Sequence, residues 1–101
     1  MPRSLRTAPL PAEPHVTSLV ALGHAVRAAR VASGLRIDDA AALCGVSVDL
    51  LSRLENGRSG VSTDRLLKVL DGLGLSMLVL DKAKLQKVLN ALADRQEAAG
   101  R

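Results

Sequence analysis

A short stretch in the middle of the chain, VDLLSRLE, has the spacing of a helix with leucines on one face and mostly polar side chains on the other. The outward residues of this predicted helix are Val48, Asp49, Ser52 and Arg53. Arg53 can donate two parallel hydrogen bonds to a guanine edge, Asp49 can accept one from a cytosine amino group, and Val48 can contact a thymine methyl group. This set therefore predicts a helix that reads base pairs in the major groove of duplex DNA.

The residues around this stretch provide the turn that such a helix needs. Two helices that cross steeply require a small residue at the crossing, a glycine in the turn and apolar anchors on their inner faces. Ala41 and Gly45 meet the first two requirements. The inward apolar positions are Ala40, Cys44, Val46, Leu51 and Leu54. We therefore predict a helix-turn-helix over residues 37–55, in which Ser47 is the N-cap of the second helix.

Apolar periodicity and glycines at helix ends predict three further helices. One runs from Leu19 to a cap at Gly34, where Leu35 is placed for the hydrophobic contact that accompanies a glycine cap. Another occupies residues 62–74, beginning with a Ser-Thr pair and closing at two glycines. The last covers about residues 81–98 and carries a leucine-rich stripe, so it is predicted to be amphipathic.

One apolar segment, LSMLVL at residues 75–80, predicts a short strand because it begins without a helix cap. The sequence offers no second strand, and a lone strand leaves its backbone groups unpaired. We therefore expect a homodimer in which the strand pairs with its copy through Leu75, Met77, Leu78, Val79 and Leu80. The predicted fold class is all-α, a bundle of four to five helices with this single strand pairing across the dimer.

The predicted domain organisation follows from where prolines and helical periods occur. All four prolines fall within the first fourteen residues, so residues 1–17 are predicted to be a flexible arm, which either reaches a minor groove or partner surface or stays unstructured. The helix-turn-helix domain then covers residues 18–74 and the dimerisation strand 75–80. Residues 81–101 form the C-terminal helix and tail, whose stripe covers the strand, lengthens the dimer contact or binds a partner protein.

Charge and composition narrow the classes of function. The formal net charge of +4 suits a polyanionic partner. Residues 19–80 nevertheless carry seven basic against six acidic residues, so the placement of the charges matters more than their sum. The chain has no Phe, Tyr or Trp, and this argues against a reader of single-stranded nucleic acid, which stacks bases on aromatic side chains.

Several kinds of chemistry have no support in the sequence. Its single cysteine, Cys44, excludes an internal disulfide and fits a reducing compartment. No apolar run reaches membrane-spanning length and no signal peptide is evident, so we expect a cytoplasmic protein. Cys44, His15 and His24 lack metal-ligand spacing, and no acid–base pair or phosphate-binding glycine loop is present. We predict no metal, no cofactor and no enzymatic activity.

From Leu22 to about Leu80 the sequence resembles the lambda-repressor-like, or Cro/Xre-type, helix-turn-helix family. The segments that carry this resemblance are LGHAVRAARVASGL, GVSVDLLSRLENGR and LLKVLDGLGL. It implies that Arg30 and Glu55 form a partly buried ion pair tying the first helix to the end of the third. It also implies that Asn56 and Arg58 contact phosphates just past the recognition helix.

The chain departs from the family pattern at the start of its second helix. Relatives usually have Ser or Thr followed by Gln there, whereas this chain has Arg36 and Ile37, so one helix cap and one phosphate contact are missing. We expect Arg36 to supply a phosphate contact instead, and Ser47 completes the predicted phosphate set. Asp49 repels phosphate unless it meets a base donor.

Within that family, the segment LGLSMLVL after the fourth helix resembles HipB-like antitoxins, the partners of HipA-type kinases. This resemblance implies a bacterial antitoxin that dimerises through the strand, represses its own operon and binds a HipA-like toxin. Our first hypothesis is a dimeric transcriptional repressor reading a palindromic operator in double-stranded DNA. The alternatives are a stand-alone regulator without a toxin, a protein-binding antitoxin with secondary DNA binding, and a purely structural helix-turn-helix.

Overall fold

The computed structural model describes residues 14–99, with side chains to residue 95, and has five helices in that range. They are α1 (Leu19–Ala32), α2 (Ile37–Cys44), α3 (Val48–Glu55), α4 (Thr63–Gly72) and α5 (Lys82–Ala99). This confirms the predicted all-α class. The predicted arm lies mostly outside the described residues, and its last four residues, 14–17, are exposed and non-helical.

Helix α1 begins at a serine cap and ends at the glycine that the sequence predicts. The Ser18 hydroxyl accepts a hydrogen bond from the Ala21 amide at 3.0 Å, which satisfies one free N–H group at the helix start. At the other end, Gly34 has a φ of 71°, and the Leu35 amide donates to the Arg30 carbonyl at 3.2 Å. A left-handed glycine closes a helix in this way, and Leu35 then packs against the core.

The hydrophobic core lies among α1, α2, α3 and α4. Its largest fully buried apolar side chains are Val26, Leu51, Val69 and Leu73. Alanines and one cysteine fill the spaces between them, namely Ala29, Ala40, Ala41 and Cys44. Side chains this small exclude voids only when the helices pack closely.

Two glycines within the helices allow that close packing. A Cβ atom at Gly23 would lie 2.5 Å from the Leu54 carbonyl oxygen, so α1 crosses the end of α3 backbone against backbone. A Cβ atom at Gly72 would lie 2.6 Å from the Cys44 Sγ atom, where α4 meets the last turn of α2. These two crossings fix α2 and α3 on the rest of the bundle.

Through residue 95, the last whose side chain the structure describes, helix α5 contributes no residue to this core. It begins after Asp81, whose carboxylate accepts a hydrogen bond from the Lys84 amide at 2.8 Å. The apolar stripe predicted for this helix is only half-buried, at Leu85, Val88, Leu89 and Leu92. Neither α5 nor any other helix in the described part of the chain has both the length and the apolar character needed to cross a bilayer.

The predicted strand segment, residues 75–80, forms no strand within the described chain. Leu75 packs partly against the core, but the side chains of Met77, Leu78 and Val79 are 53%, 72% and 85% exposed. A strand whose partner is a second copy has nothing to pair with inside one chain. Pairing across a dimer therefore stays a prediction.

Candidate nucleic-acid interface

The turn between α2 and α3 has the geometry that the sequence predicts. Gly45 adopts a left-handed conformation with a φ of 72°, and the Val46 amide donates to the Ala41 carbonyl at 3.0 Å. The Ser47 hydroxyl then accepts a hydrogen bond from the Leu50 amide at 3.0 Å and starts α3 as its N-cap. The helix-turn-helix over residues 37–55 is confirmed.

Helix α3 has one buried face and one face directed to solvent. Leu51, Leu54 and Glu55 are buried. The four residues predicted to contact bases lie on the rest of the helix and keep substantial exposure: Val48 is 44% exposed, and the side chains of Asp49 and Arg53 are 84% and 42% exposed. Ser52 is partly exposed between them. The structure thus brings the predicted set together on one accessible surface.

Arg53 has two partners within the chain. Its Nη2 atom donates a hydrogen bond to the Gly60 carbonyl oxygen at 3.1 Å, and its Nη1 atom lies 3.9 Å from the Asp49 Oδ2 atom. The contact with Gly60 could not be predicted from the sequence, because a backbone carbonyl in the α3–α4 loop leaves no signal in residue type or periodicity. Arg53 is therefore oriented before any ligand binds.

The residues just past α3 are held by short contacts. The Asn56 side-chain amide donates to the Ser52 carbonyl at 2.7 Å, and the Arg58 backbone amide donates to the Arg53 carbonyl at 3.0 Å. Gly57 has a φ of 70°, and a Cβ atom there would lie 2.8 Å from the Val20 Cα atom of α1. Asn56 and Arg58 remain exposed at this fixed turn.

Arg36, the fourth member of the predicted phosphate set, is engaged with acidic neighbours. It is the N-cap of α2 but makes no side-chain capping bond, as the departure from the family pattern predicts. Its guanidinium lies 2.7 Å from the Asp38 carboxylate and 3.7 Å from that of Asp39. The hydrogen bond from Arg36 lowers the pKa of Asp38. A phosphate that approaches Arg36 therefore meets the negative charge of these two carboxylates.

Arg30 and Glu55 lie in a bidentate arrangement between α1 and α3. The Arg30 Nε and Nη2 atoms donate to the two Glu55 carboxylate oxygens at 2.7 and 2.9 Å, and Nη1 donates to the Leu35 carbonyl at 3.0 Å. The two side chains are only 14% and 6% exposed. Hydrogen bonding to Glu55 raises the pKa of Arg30 against the opposing effect of burial. This geometry fits the structural role that the resemblance implies.

The remaining reactive groups form no site of their own. Cys44 is buried with its Sγ atom 3.7 Å from the Val69 carbonyl oxygen, and burial raises the pKa of its thiol. Within residues 14–95, no group of three His, Cys, Asp or Glu side chains is placed to hold a metal ion. An open apolar cleft of about 240 Å³ lies beside the α3–α4 loop, lined by Leu19, Leu22, Leu54, Arg58, Ser59, Gly60, Val61 and Leu66.

Comparison with known families agrees with this geometry. The family described as helix-turn-helix domain matches residues 21–83, which is more than half of the 101-residue chain. The chain belongs to this family, and the match supports the resemblance to Cro/Xre-type proteins. No curated protein matches the chain. The matched range contains all the candidate residues from Arg30 to Arg58, and family membership supports a DNA-binding regulator of transcription.

Proposed function

We propose that this protein is a sequence-specific transcriptional repressor that binds a palindromic operator as a homodimer. The observation that carries the proposal is the exposed face of α3, where Val48, Asp49, Ser52 and Arg53 project from a helix fixed to the bundle. A helix held in this way can enter the major groove as a rigid body. Little ordering of the helix itself is then required on binding.

Each member of this face has a defined role in the proposal. Arg53 donates two hydrogen bonds to guanine O6 and N7, and Asp49 accepts one from a cytosine N4 amino group. Val48 contacts a thymine methyl group, while Ser52 bonds to either donors or acceptors. The negative charge of Asp49 disfavours sites that place a phosphate or a base acceptor against it, so it adds specificity by rejection.

Phosphate contacts fix the register of α3 in the groove. Asn56 and Arg58 are well suited to this role because they lie on a turn anchored against α1. Ser47 and the first amides of α3 add a helix N-terminus that favours an anion. Arg36 joins them by exchanging its exposed carboxylate partners for phosphate, and exposed ion pairs are weak enough for that exchange.

The C-terminal region supports the dimer in this proposal. Among the described residues, those at 76–80 share no backbone hydrogen bond with each other, and Met77, Leu78 and Val79 expose apolar side chains. Pairing of this segment with its copy would satisfy both features. Binding to a palindrome requires this dimer to hold the two α3 helices about 34 Å apart, one turn of DNA.

The proposal is tested by selecting binding sites for the full chain from random duplexes and measuring affinity across a salt series. We expect a palindromic site whose affinity falls steeply with salt. Arg53→Ala should weaken binding to that site by about 1–3 kcal/mol. Arg95→Ala is the matched control, because it removes the same charge from exposed α5 outside the helix-turn-helix. Failure to enrich any sequence would contradict the proposal.

A second function, an autoregulatory antitoxin of a HipA-like toxin, is favoured by the half-buried apolar stripe of α5, which lies outside the dimerisation segment at residues 75–80. This surface also lies outside the helix-turn-helix, so a toxin could bind while α3 stays free for DNA. Coexpression with the product of the neighbouring gene tests this function. A stable complex broken by Leu89→Asp, in a variant that still dimerises, supports it, and a chain that binds its operator but not that product is a stand-alone regulator.

A further inference from the structure

We propose that Gly60 is a positioning residue for Arg53, and that its backbone carbonyl sets the edge which the guanidinium presents to guanine. This inference rests on the proposed function and extends it to a residue with no base-reading chemistry of its own. It assigns the α3–α4 loop a part in sequence selectivity, besides linking two helices.

The geometry of the guanidinium supports this role. Arg53 Nη2 donates to the Gly60 carbonyl oxygen at 3.1 Å, while the Asp49 carboxylate lies on Nη1 at 3.9 Å. A guanidinium has five N–H donors in a planar fork, and the bond to Gly60 uses one of them. The remaining donors suffice for the two parallel bonds that guanine accepts. The side chain can therefore be held by the loop and read a base at the same time.

The absence of a side chain at position 60 is part of the same arrangement. A Cβ atom on Gly60 would lie 2.8 Å from Arg53 Nη2, closer than two such atoms can approach. The contact would be relieved at the mobile end of the arginine, so the guanidinium would be displaced before the backbone moved. Gly60 also has a φ of 89°, a conformation that glycine adopts readily.

Restricting Arg53 in advance improves discrimination for a physical reason. A free arginine loses considerable rotamer entropy when it forms two directed hydrogen bonds, and this loss opposes binding. A side chain already oriented loses less, so more of the hydrogen-bond energy distinguishes guanine from other bases. Loss of the Gly60 contact should reduce the preference for guanine more than the affinity for phosphate.

The test is a double-mutant cycle with the full chain on its selected duplex. Affinities are measured for the chain, Gly60→Ala, Arg53→Ala and the double variant on the selected site. They are measured again on duplexes in which another base replaces the guanine that the Arg53→Ala variant no longer prefers. We expect about a tenfold loss of guanine preference for Arg53→Ala. Gly60→Ala should reduce the guanine preference about three- to tenfold when Arg53 is present, and it should cause no further reduction when Arg53 is replaced by alanine.

Backbone strain must be separated from the loss of positioning. Gly74→Ala places alanine in a similar left-handed conformation, with a φ of 74°, at the end of α4, and should leave the guanine preference unchanged. An equal effect of Gly60→Ala with and without Arg53, or no effect on the preference, would overturn this inference while the proposed function stands. Failure of the unmodified chain to select any site would overturn both.

Discussion

The helix-turn-helix domain and the C-terminal region differ in how far they bury their leucines. Leu73, at the end of α4, is fully buried, whereas Leu78, five positions later, is 72% exposed. All core residues of the described chain lie in or beside α1–α4, and Leu75 is the last that packs against them. The first region completes its core within one chain, whereas the second leaves apolar groups without a partner among the described residues.

This difference indicates that different interactions determine the structures of the two regions. The helix-turn-helix domain is specified by local features that agree with one another, namely caps, left-handed glycines and apolar periodicity. The C-terminal region has helical periodicity in α5, but no face in the part of the chain that the structure describes packs its apolar stripe into the core. Its structure is therefore expected to depend on association.

The largest effect should come from the same truncation made in each region. Leu73→Ala removes a fully buried side chain and should lower the free energy of unfolding by about 3 kcal/mol, because a cavity replaces it. Leu78→Ala should leave the unfolding of the domain nearly unchanged. Urea denaturation at low protein concentration, where association is weakest, measures both. Equal losses would contradict the contrast between the regions.

Removal of Glu55 should give the next largest effect. Glu55→Ala leaves the Arg30 guanidinium, which is only 14% exposed, without its bidentate partner. We expect a loss of about 2 kcal/mol, below the figure for a fully buried pair because water can reach part of the guanidinium. Arg36→Ala breaks an exposed pair and should lower stability much less than Glu55→Ala does. A larger loss for Arg36→Ala would contradict this account of the two pairs.

A charged substitution in the C-terminal region tests the dimer. Leu78→Asp should weaken association about tenfold or more, because an unpaired carboxylate would lie in an apolar contact. The same variant should keep the helical circular dichroism of α1–α4. Sedimentation across a concentration series measures the association. A monomeric unmodified chain at all concentrations would show that the C-terminal surface does not join two copies.

The capping serines give a smaller effect. Ser47→Ala removes the hydroxyl that accepts from the Leu50 amide and should destabilise the chain by about 1 kcal/mol. Ser62 stands at the corresponding position before α4 but makes no side-chain capping bond, so Ser62→Ala should cost less. Thermal unfolding of the two variants compares them directly, and the reverse order would refute the assignment of Ser47 as the stronger cap.

The smallest effect should be on the stability of the fold at acidic pH. Arg36 lowers the pKa of Asp38 in the folded chain, so the pair stabilises the fold above the unfolded pKa of this carboxyl. That contribution is lost as the pH falls through the lowered, folded pKa. Asp38→Asn should therefore reduce the dependence of stability on pH in the acidic range only. An altered slope near neutral pH would point to a different group.

Much of the domain is predictable from sequence because its signals are local. Gly34 marks the end of α1, and Gly45 and Ser47 mark the turn, since each residue type satisfies a backbone requirement at its own position. The pairing of Arg30 with Glu55 spans 25 positions, and only resemblance to a family indicated it.

Other features of the site could not be predicted because they depend on tertiary geometry. The contact between Arg53 and the Gly60 carbonyl requires the path of the α3–α4 loop, which no periodic pattern describes. Asp38 and Asp39 bind Arg36 and therefore compete with its proposed phosphate contact. The exposed segment at residues 75–80 has an apolar pattern whose predicted partner belongs to another copy.

Methylation interference at guanine N7 on the selected duplex tests directly whether α3 reads bases from the major groove. We expect interference at guanines in two half-sites about one DNA turn apart, with the signal lost in Arg53→Ala and kept in Arg95→Ala. Binding that is indifferent to N7 methylation throughout the site would contradict the assignment of Arg53 to a guanine edge and of α3 to the major groove.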